Sequence, residues 1–277
     1  MSSKSNIEMS FLEHLEELRW HIIRSLLAVI FLAILAFLFK NLLFDVIILG
    51  PSKPEFFTNR MFCWFSEKLN IPALCINQVP LNLQNIILSG QFTMHIWISF
   101  VSGIIIAFPY IFWEFWRFIK PALYPQEVKH SRGAIFFASI MFSVGIIFAY
   151  YLICPLSINF LGNYKVSGRV DNIINLSSYI STISSIVLAC AVMFELPILI
   201  YFLSKIGLVS SAFLKKYRKH AIVLILIISA IITPPDVFSQ ILVGLPIMAL
   251  YEAGITIAKQ MEKKKTIKPV ESIIKKF

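Results

Sequence analysis

The sequence has few charged residues for its length. Lysine, arginine, aspartate and glutamate make up 14% of its 277 residues, whereas soluble globular proteins carry about 25%. Hydrophobic residues make up 58%, and the mean hydropathy is +0.78. This shortage of charge argues against a water-soluble fold and predicts a protein whose apolar runs contact lipid.

The sequence also lacks the motifs of common reaction centres. It contains no His-Glu-x-x-His, no Gly-x-Ser-x-Gly, no glycine-rich phosphate loop and no Cys/His cluster at zinc spacing. A membrane protease is an alternative because serines occur in the apolar runs, but none has a partner base at a recognisable spacing. We therefore expect no enzyme, no bound metal and no cofactor.

The net charge of +10 does not indicate nucleic-acid binding. The basic residues cluster at the ends of apolar runs, where they determine membrane topology. Glutamates precede the first run and no small-residue cleavage site follows it, so we expect this run to be retained as a span.

Six apolar stretches predict an all-α integral membrane protein with six transmembrane helices, the last two short, in a single membrane domain over residues 1–277. An amphipathic cytoplasmic helix precedes the spans at 1–19, and a basic cytoplasmic tail follows them at 259–277. The predicted spans are residues 20–39, 92–113, 134–160, 176–204, 220–232 and 238–258.

The distribution of basic residues predicts the orientation. With six crossings, 19 of the 25 lysines and arginines lie on the side that holds both termini. The positive-inside rule then assigns both termini to the cytoplasm.

The fifth stretch is too short for an ordinary span. Residues 221–232 rise only about 18 Å as a helix, whereas the hydrocarbon core is about 30 Å thick. Either this span thins the bilayer locally or residues 221–258 form a re-entrant hairpin. Both alternatives return the tail to the cytoplasm.

The first outer loop, residues 40–91, is rich in aromatic residues. These residues predict short helices lying over the outer membrane face. Cys63 and Cys75 both fall in this loop, on the side of the membrane where disulfides persist. They form either a bridge that fixes the loop or two free buried thiols.

Glu195 is the one charge within the fourth predicted span. A charged carboxylate near the centre of a span costs about 3 kcal/mol, so this group is protonated, hydrogen-bonded or beside a watery cavity. Pro197 cannot bond back to the carbonyl of Met193, which opens the helix there. Glu195 either makes an interhelical hydrogen bond only, or serves a function such as proton carriage in a secondary transporter.

Further glutamates stand near the inner ends of the first two spans. Glu13, Glu16 and Glu17 form either a solvated helix face or an anionic patch that binds a cationic partner through arginine forks. We interpret Glu114 as a charge at the membrane rim. His14 and His21 are too weak a pair to predict a metal site.

Four stretches together resemble the TatC family. They are His-Leu-Glu-Glu-Leu-Arg at 14–19, Pro109 with Trp-Arg-Phe-Ile-Lys-Pro-Ala-Leu-Tyr at 116–124, Phe-Glu-Leu-Pro at 194–197, and Thr-Pro-Pro-Asp-Val-Phe-Ser-Gln at 233–240. The chain departs from the family in its longer first outer loop with the cysteine pair, and in its lysine-rich tail.

The resemblance implies a receptor and core subunit of the twin-arginine translocase. Such a subunit binds signal peptides with two consecutive arginines and starts the transport of folded proteins, using the proton motive force. The implied signal-peptide site consists of Glu17, Arg19, Phe118 and Glu127. Glu17 and Glu127 are the candidates for pairing with the two arginines.

The resemblance also implies partners and a location. Glu195 and Pro197 would line the groove where a single-span TatA-type subunit docks. The complex would be a homo-oligomer within a larger assembly in the bacterial inner membrane, with a TatB-type subunit where one exists. Four further residues match family positions that matter for assembly or the outer loops: Pro51, Tyr150, Asp236 and Gln240.

Overall fold

The structure, a computed structural model, describes residues 11–78, 82–119, 131–169, 172–233 and 237–274. These residues are mostly helical. The helices are α1 (Phe11–Leu38), α2 (Phe57–Leu69), α3 (Gly90–Ile119), α4 (Ser131–Phe148), α5 (Cys154–Asn163), α6 (Leu176–Met193), α7 (Leu196–Ile206), α8 (Ser211–Lys216), α9 (Arg218–Ile232) and α10 (Val237–Ile274), and the strands are β1 (Leu83–Gln84) and β2 (Ile174–Asn175).

Five helical segments of the described chain are long and apolar enough to cross a membrane. They are Leu15–Leu38, Gly90–Ile119, Ile135–Asn163, Leu176–Ile206 and Gln240–Glu262. The predicted all-α membrane class is therefore confirmed. The remaining predicted span is α9, whose 15 residues rise about 22 Å, so the count of six crossings stays a prediction.

The predicted terminal segments join the neighbouring spans. Helix α1 comprises Phe11–Leu38, so the described part of the predicted amphipathic segment and the first span are one helix. Helix α10 continues to Ile274, so most of the basic tail extends the last span.

Two prolines account for the irregular points in the spans. Proline has no N–H and its ring crowds the preceding turn. The turn before Pro155, Ala149–Ile153, widens into a π-helix that joins α4 to α5. Before Pro197 the helix breaks between α6 and α7, and the N–H of Glu195 bonds to the carbonyl of Val192 at 3.1 Å.

The chain divides into two compact units. One comprises Met1–Lys40 and His95–Ser139, and the other comprises Asn41–Met94 and Ile140–Phe277. The single domain predicted from the sequence stays a prediction.

In the first unit, α1 and α3 approach closely. A Cβ atom at Gly103 would lie 2.7 Å from the carbonyl oxygen of Val29 and 2.9 Å from Ala33. Glycine at this position therefore allows the two backbones to meet.

In the second unit, the predicted first outer loop is held by buried amides. Asn59 is almost fully buried and donates to the carbonyls of Pro51 at 3.1 Å and Lys53 at 2.8 Å. Asn77 donates to the side chain of Asn59 at 3.2 Å and to the carbonyl of Pro155 at 3.0 Å. These bonds fasten the loop to α5.

Two further connections fix the same loop. Cys63 and Cys75 are joined by a disulfide, which links α2 to the turn Pro72–Leu74. Strand β1 pairs in parallel with β2, with Leu83 opposite Ile174. The loop is thus tied to the segment that precedes α6.

The last helices of the second unit are joined by polar contacts. The N–H of Ser211, at the start of α8, donates to the carboxylate of Glu262 at 2.7 Å. The hydroxyl of Tyr251 donates to the carbonyl of Leu214 at 2.9 Å. The connection between α7 and α9 is therefore held against α10.

Candidate functional site

A buried carboxylate lies near the end of α3 that precedes the predicted first inner loop. Only 1% of Glu114 is exposed. One of its oxygens bonds to Nδ1 of His21 on α1. The other accepts hydrogen bonds from the hydroxyl of Tyr110 at 3.1 Å and from Nη1 of Arg117 at 3.4 Å. Arg24 adds a second guanidinium, with Nη1 3.8 Å from the carboxylate.

This set of contacts explains how the carboxylate is tolerated. Burying an unpaired carboxylate is strongly unfavourable, but a paired and hydrogen-bonded one is permitted. Arg24 and Arg117 are each about half exposed, and such long side chains can reach the membrane interface while their guanidinium groups approach Glu114. The interpretation of Glu114 as a rim charge is therefore wrong, because the side chain points into the unit and not towards the water.

His21 joins Glu114 to two residues of the predicted signal-peptide site. Its Nε2 lies 3.9 Å from a carboxylate oxygen of Glu17, one turn earlier on α1. Its ring meets the ring of Phe118 edge-on, with centroids 6.2 Å apart. Glu17 and Phe118 therefore both lie beside one buried imidazole, although they are far apart in the chain.

The other two residues of the predicted signal-peptide site, Arg19 and Glu127, are not seen beside His21 within the described part of the chain. Arg19 is exposed and its guanidinium lies 5.7 Å from the ring centre of Trp20. Because successive helical residues are rotated by about 100°, a residue two positions after Glu17 faces away from it. Glu127 lies outside the described residues.

Sequence reasoning missed His21 and Glu114 as parts of this site. The spacing of Tyr110, Glu114 and Arg117 was a usable signal, because residues three and four apart share one face of a helix. A polar face among the aromatic residues of α3 indicates a buried polar contact. The identity of the partner, 93 residues away, has no local signal.

Glu195 forms a second candidate site, at the break between α6 and α7. The residue is partly buried, and both carboxyl oxygens are inaccessible to water. The backbone of Phe142 on α4 makes a hydrogen-bond contact with the carboxyl. This contact falls short of a hydrogen bond of normal geometry, and neither oxygen makes one within the described part of the chain.

The close packing around this break places the carboxyl. A Cβ atom at Gly145 of α4 would lie 2.9 Å from Cα of Ala191 and 3.0 Å from Cβ of Phe194. The ring of Phe194 also lies 5.4 Å from that of Phe148. Pro197 is buried. The carboxyl is thus held at a tight crossing of two spans.

The remaining predicted residues lie elsewhere. Pro51 is buried in the first outer loop, and the hydroxyl of Tyr150 donates to the carbonyl of Ile47 at 2.8 Å. The amide of Gln240 on α10 donates to the carbonyl of Leu226 on α9 at 3.0 Å. Asp236 lies outside the described residues.

A metal site finds no support within the described ranges. No group of three or more His, Cys, Asp or Glu side chains there could hold an ion. Cys154 and Cys190 are free thiols and both are buried.

Comparison with known proteins shows a consistent similarity. Residues 13–246 match the family TatC, described as Sec-independent protein translocase protein. The Sec-independent protein translocase protein TatC of Blattabacterium sp. subsp. Periplaneta americana is 43% identical over 267 residues, which are 96% of this chain and 100% of that protein. The protein of that name from Desulforapulum autotrophicum is 32% identical over 95% of this chain and 89% of its own.

Solved structures show the same similarity. A crystal structure of the twin arginine translocase receptor TatC matches with a TM-score of 0.69 and 31% identity, covering 89% of this chain and 99% of the other. A second crystal structure of that receptor matches with a TM-score of 0.65 and 30% identity, covering 90% and 100%.

The buried pair predicts a coupled effect on stability. We expect His21→Ala to lower the free energy of unfolding by about 3 kcal/mol, because it leaves the carboxylate of Glu114 buried without its closest partner. Glu114→Gln in the same chain should recover part of this loss, since the amide carries no charge. Denaturant titration in mixed micelles, followed by circular dichroism, measures both.

The exposed Arg19→Ala is the matched control and should change the unfolding free energy by less than about 0.5 kcal/mol. If the effects of His21→Ala and Glu114→Gln simply add, the pair contributes no coupling energy and this account of the site is wrong.

Proposed function

Because this chain belongs to the TatC family of Sec-independent protein translocase proteins, we propose that the surface around Glu17 and Phe118 binds the paired arginines of twin-arginine signal peptides. The protein is a multi-pass membrane protein and the receptor and core subunit of the twin-arginine translocase. The observation that supports the site is the contact of Glu17 and Phe118 with one buried histidine, itself held by Glu114.

The chemistry of the ligand requires more than one acid. Two guanidinium groups carry two charges, and a single carboxylate balances one of them. Glu17, whose side chain is 34% exposed, is one acceptor, and Glu127 from the inner loop is the second. We include Arg19 in this site because it matches a position of the family's site. Its guanidinium contacts Trp20, which supports a place at the border of the site.

His21 and Glu114 act as positioning residues in this proposal. Glu114 is already surrounded by His21, Tyr110 and Arg117, so an incoming guanidinium gains little there. His21 keeps Glu17 beside Phe118. A carboxylate held in this way loses less side-chain entropy when it pairs with a guanidinium.

The site should prefer arginine to lysine. A guanidinium presents two parallel N–H groups to a carboxylate, whereas an ammonium is a compact, strongly hydrated charge. Two such forks together give a peptide with paired arginines a large advantage over one with paired lysines.

Peptide binding tests the two acids. We expect Glu17→Gln and Glu127→Gln each to weaken binding of a fluorescent twin-arginine signal peptide by about tenfold or more, because each removes a charge-assisted hydrogen bond worth about 1.5–3 kcal/mol. Fluorescence anisotropy with protein in lipid nanodiscs measures the affinity. A twin-lysine peptide gives the background.

Glu16→Gln is the matched control, since Glu16 is exposed on the neighbouring position of α1 and should leave affinity unchanged. The assignment is refuted if the Glu17→Gln/Glu127→Gln double variant binds the twin-arginine peptide as tightly as Glu16→Gln does.

Glu195 is proposed as the docking point of a partner span. A carboxyl whose oxygens are buried and make no hydrogen bond of normal geometry in the described chain can gain one from a polar side chain on another helix. The family works with other Tat subunits, and a single-span TatA-type subunit, with a TatB-type one where present, is the partner we propose. Pro197 follows the helix break beside the carboxyl.

Crosslinking tests this partner. With a photoreactive amino acid at Leu199, which is 52% exposed one turn after Glu195, we expect a crosslink to the TatA-type subunit that Glu195→Ala abolishes. Glu195→Gln should retain it, because the amide still forms hydrogen bonds.

Val192→Ala, a change at an exposed residue of α6, is the control and should leave the crosslink intact. A crosslink of normal yield in Glu195→Ala would exclude Glu195 as the docking point. Binding of the signal peptide should be normal in all three variants.

We further propose six crossings with both termini in the cytoplasm of a bacterial inner membrane. The basic residues and the length of α9 support this arrangement, in which the short α9 thins the bilayer locally. A thinner bilayer lowers the barrier to the passage of a folded protein, which the proton motive force would drive. Homo-oligomers of the chain would form the core of the complex.

Labelling with a membrane-impermeant maleimide tests the topology. In a chain without Cys154 and Cys190, cysteines at Gly168 and Asp236 should react in intact cells, and cysteines at Glu16 and Lys259 only after permeabilisation. Protection of position 236 in intact cells would indicate the re-entrant hairpin. Reaction of positions 16 and 259 from outside would overturn the orientation.

A further inference from the structure

Helix α2 in the first outer loop exposes an apolar face. We call the side chains Phe57, Trp64, Phe65 and Leu69 its aromatic face. Between 43% and 66% of each is exposed, and nothing within the described ranges covers them. The inward side of the helix is polar and buried instead, at Thr58, Asn59 and Ser66.

The level of α2 along the spans is set by its contact with the π-helical turn after α4. The hydroxyl of Thr58 donates to the backbone carbonyl of Tyr151. Tyr151 lies within the segment Ile135–Asn163, 16 residues after its start, which is about 24 Å along a helix. The hydrocarbon core is about 30 Å thick, so α2 lies beside the outer part of the core, near its boundary with the headgroups.

The aromatic face continues a surface that faces lipid. Ile140, Val144, Ile147 and Tyr151 repeat at helical spacing and are all exposed, from 38% to 56%. In a membrane-spanning helix such a stripe contacts acyl chains. The ring of Phe57 meets the ring of Tyr151 with centroids 6.4 Å apart, so the two apolar surfaces join without a gap.

The polar groups around the aromatic face suit a headgroup region. Nζ of Lys68 lies 4.1 Å from the ring centre of Trp64, and Arg60 and Glu67 are exposed on the flank. Tryptophan and long basic side chains concentrate at membrane interfaces, where an apolar body and a polar end are both satisfied.

We infer that α2 is an interfacial helix whose aromatic face is inserted into the headgroup and acyl-chain boundary of the outer leaflet. The lipid surface, and not a second protein, is the partner of this face. The disulfide from Cys63 to Cys75 and the buried Asn59 hold the helix in the orientation that presents it.

Nitroxide labels test this placement. In a chain without Cys154 and Cys190, single cysteines at Phe57 and Trp64 report on the aromatic face, and cysteines at Arg60 and Glu67 are matched controls on the polar flank. A label at Ile147 gives the reference for lipid contact. The protein is reconstituted in vesicles of phosphatidylethanolamine and phosphatidylglycerol, and power saturation compares collisions with oxygen and with a water-soluble nickel chelate.

We expect labels at positions 57 and 64 to collide several-fold more with oxygen, relative to the nickel chelate, than labels at 60 and 67, and to approach the label at 147. Equal nickel accessibility at 57, 60, 64 and 67 would place the aromatic face in water and overturn the inference.

Spin–spin broadening at 57 or 64 that disappears on dilution with unlabelled protein would assign the face to a second copy, which also overturns it. Intact pairing of Cys63 with Cys75, checked by mass after thiol alkylation, shows that each labelled variant keeps the fold of the loop.

Discussion

The buried carboxylate of Glu114 constrains how α1 packs against α3 in the first unit. An ionised group that is 1% exposed needs several partners, because neither lipid nor apolar side chains can replace its hydration. Its own helix supplies Tyr110 and Arg117, but the closest partner, His21, lies on α1. The bond between them fixes the register of α1 against α3, and the close approach of the backbones at Gly103 keeps that register near the middle of the spans.

Once this register is set, the arrangement of the candidate site follows from helix geometry. Glu17 is four residues before His21 and Phe118 is four residues after Glu114, so each lies one turn further along its own helix towards the same end of the unit. A cationic partner then meets Glu17, which is partly exposed and 3.9 Å from His21, before it could reach the enclosed Glu114. In the proposed site the buried acid positions the neighbouring residues, and the partly exposed acid receives the ligand.

Much of this fold could be predicted from the sequence alone, because a long apolar run in lipid forms a helix that satisfies its own backbone hydrogen bonds. The signals for α1, α3 and the break at Pro197 are local. The burial of Glu114 lacks so clear a local signal. A glutamate beside Trp113, Trp116 and other aromatic residues at the end of a span is typical of the membrane interface. Its burial depends on a histidine 93 residues away. Arg19 was assigned by resemblance to the family, and helix periodicity already places it on another face from Glu17.

The two buried acids have different surroundings, and the difference bears on function. Glu114 meets a histidine, a tyrosine and two guanidinium groups within its own unit, so its environment is complete without a partner. Glu195 sits beside a helix break with its oxygens enclosed, and within the described chain they make no hydrogen bond of normal geometry. A carboxyl with several strong partners in its own chain gains little from another donor, whereas a carboxyl with weak partners gains more from an outside one. This difference in surroundings supports the two roles that we propose, a positioning residue at Glu114 and a docking point at Glu195.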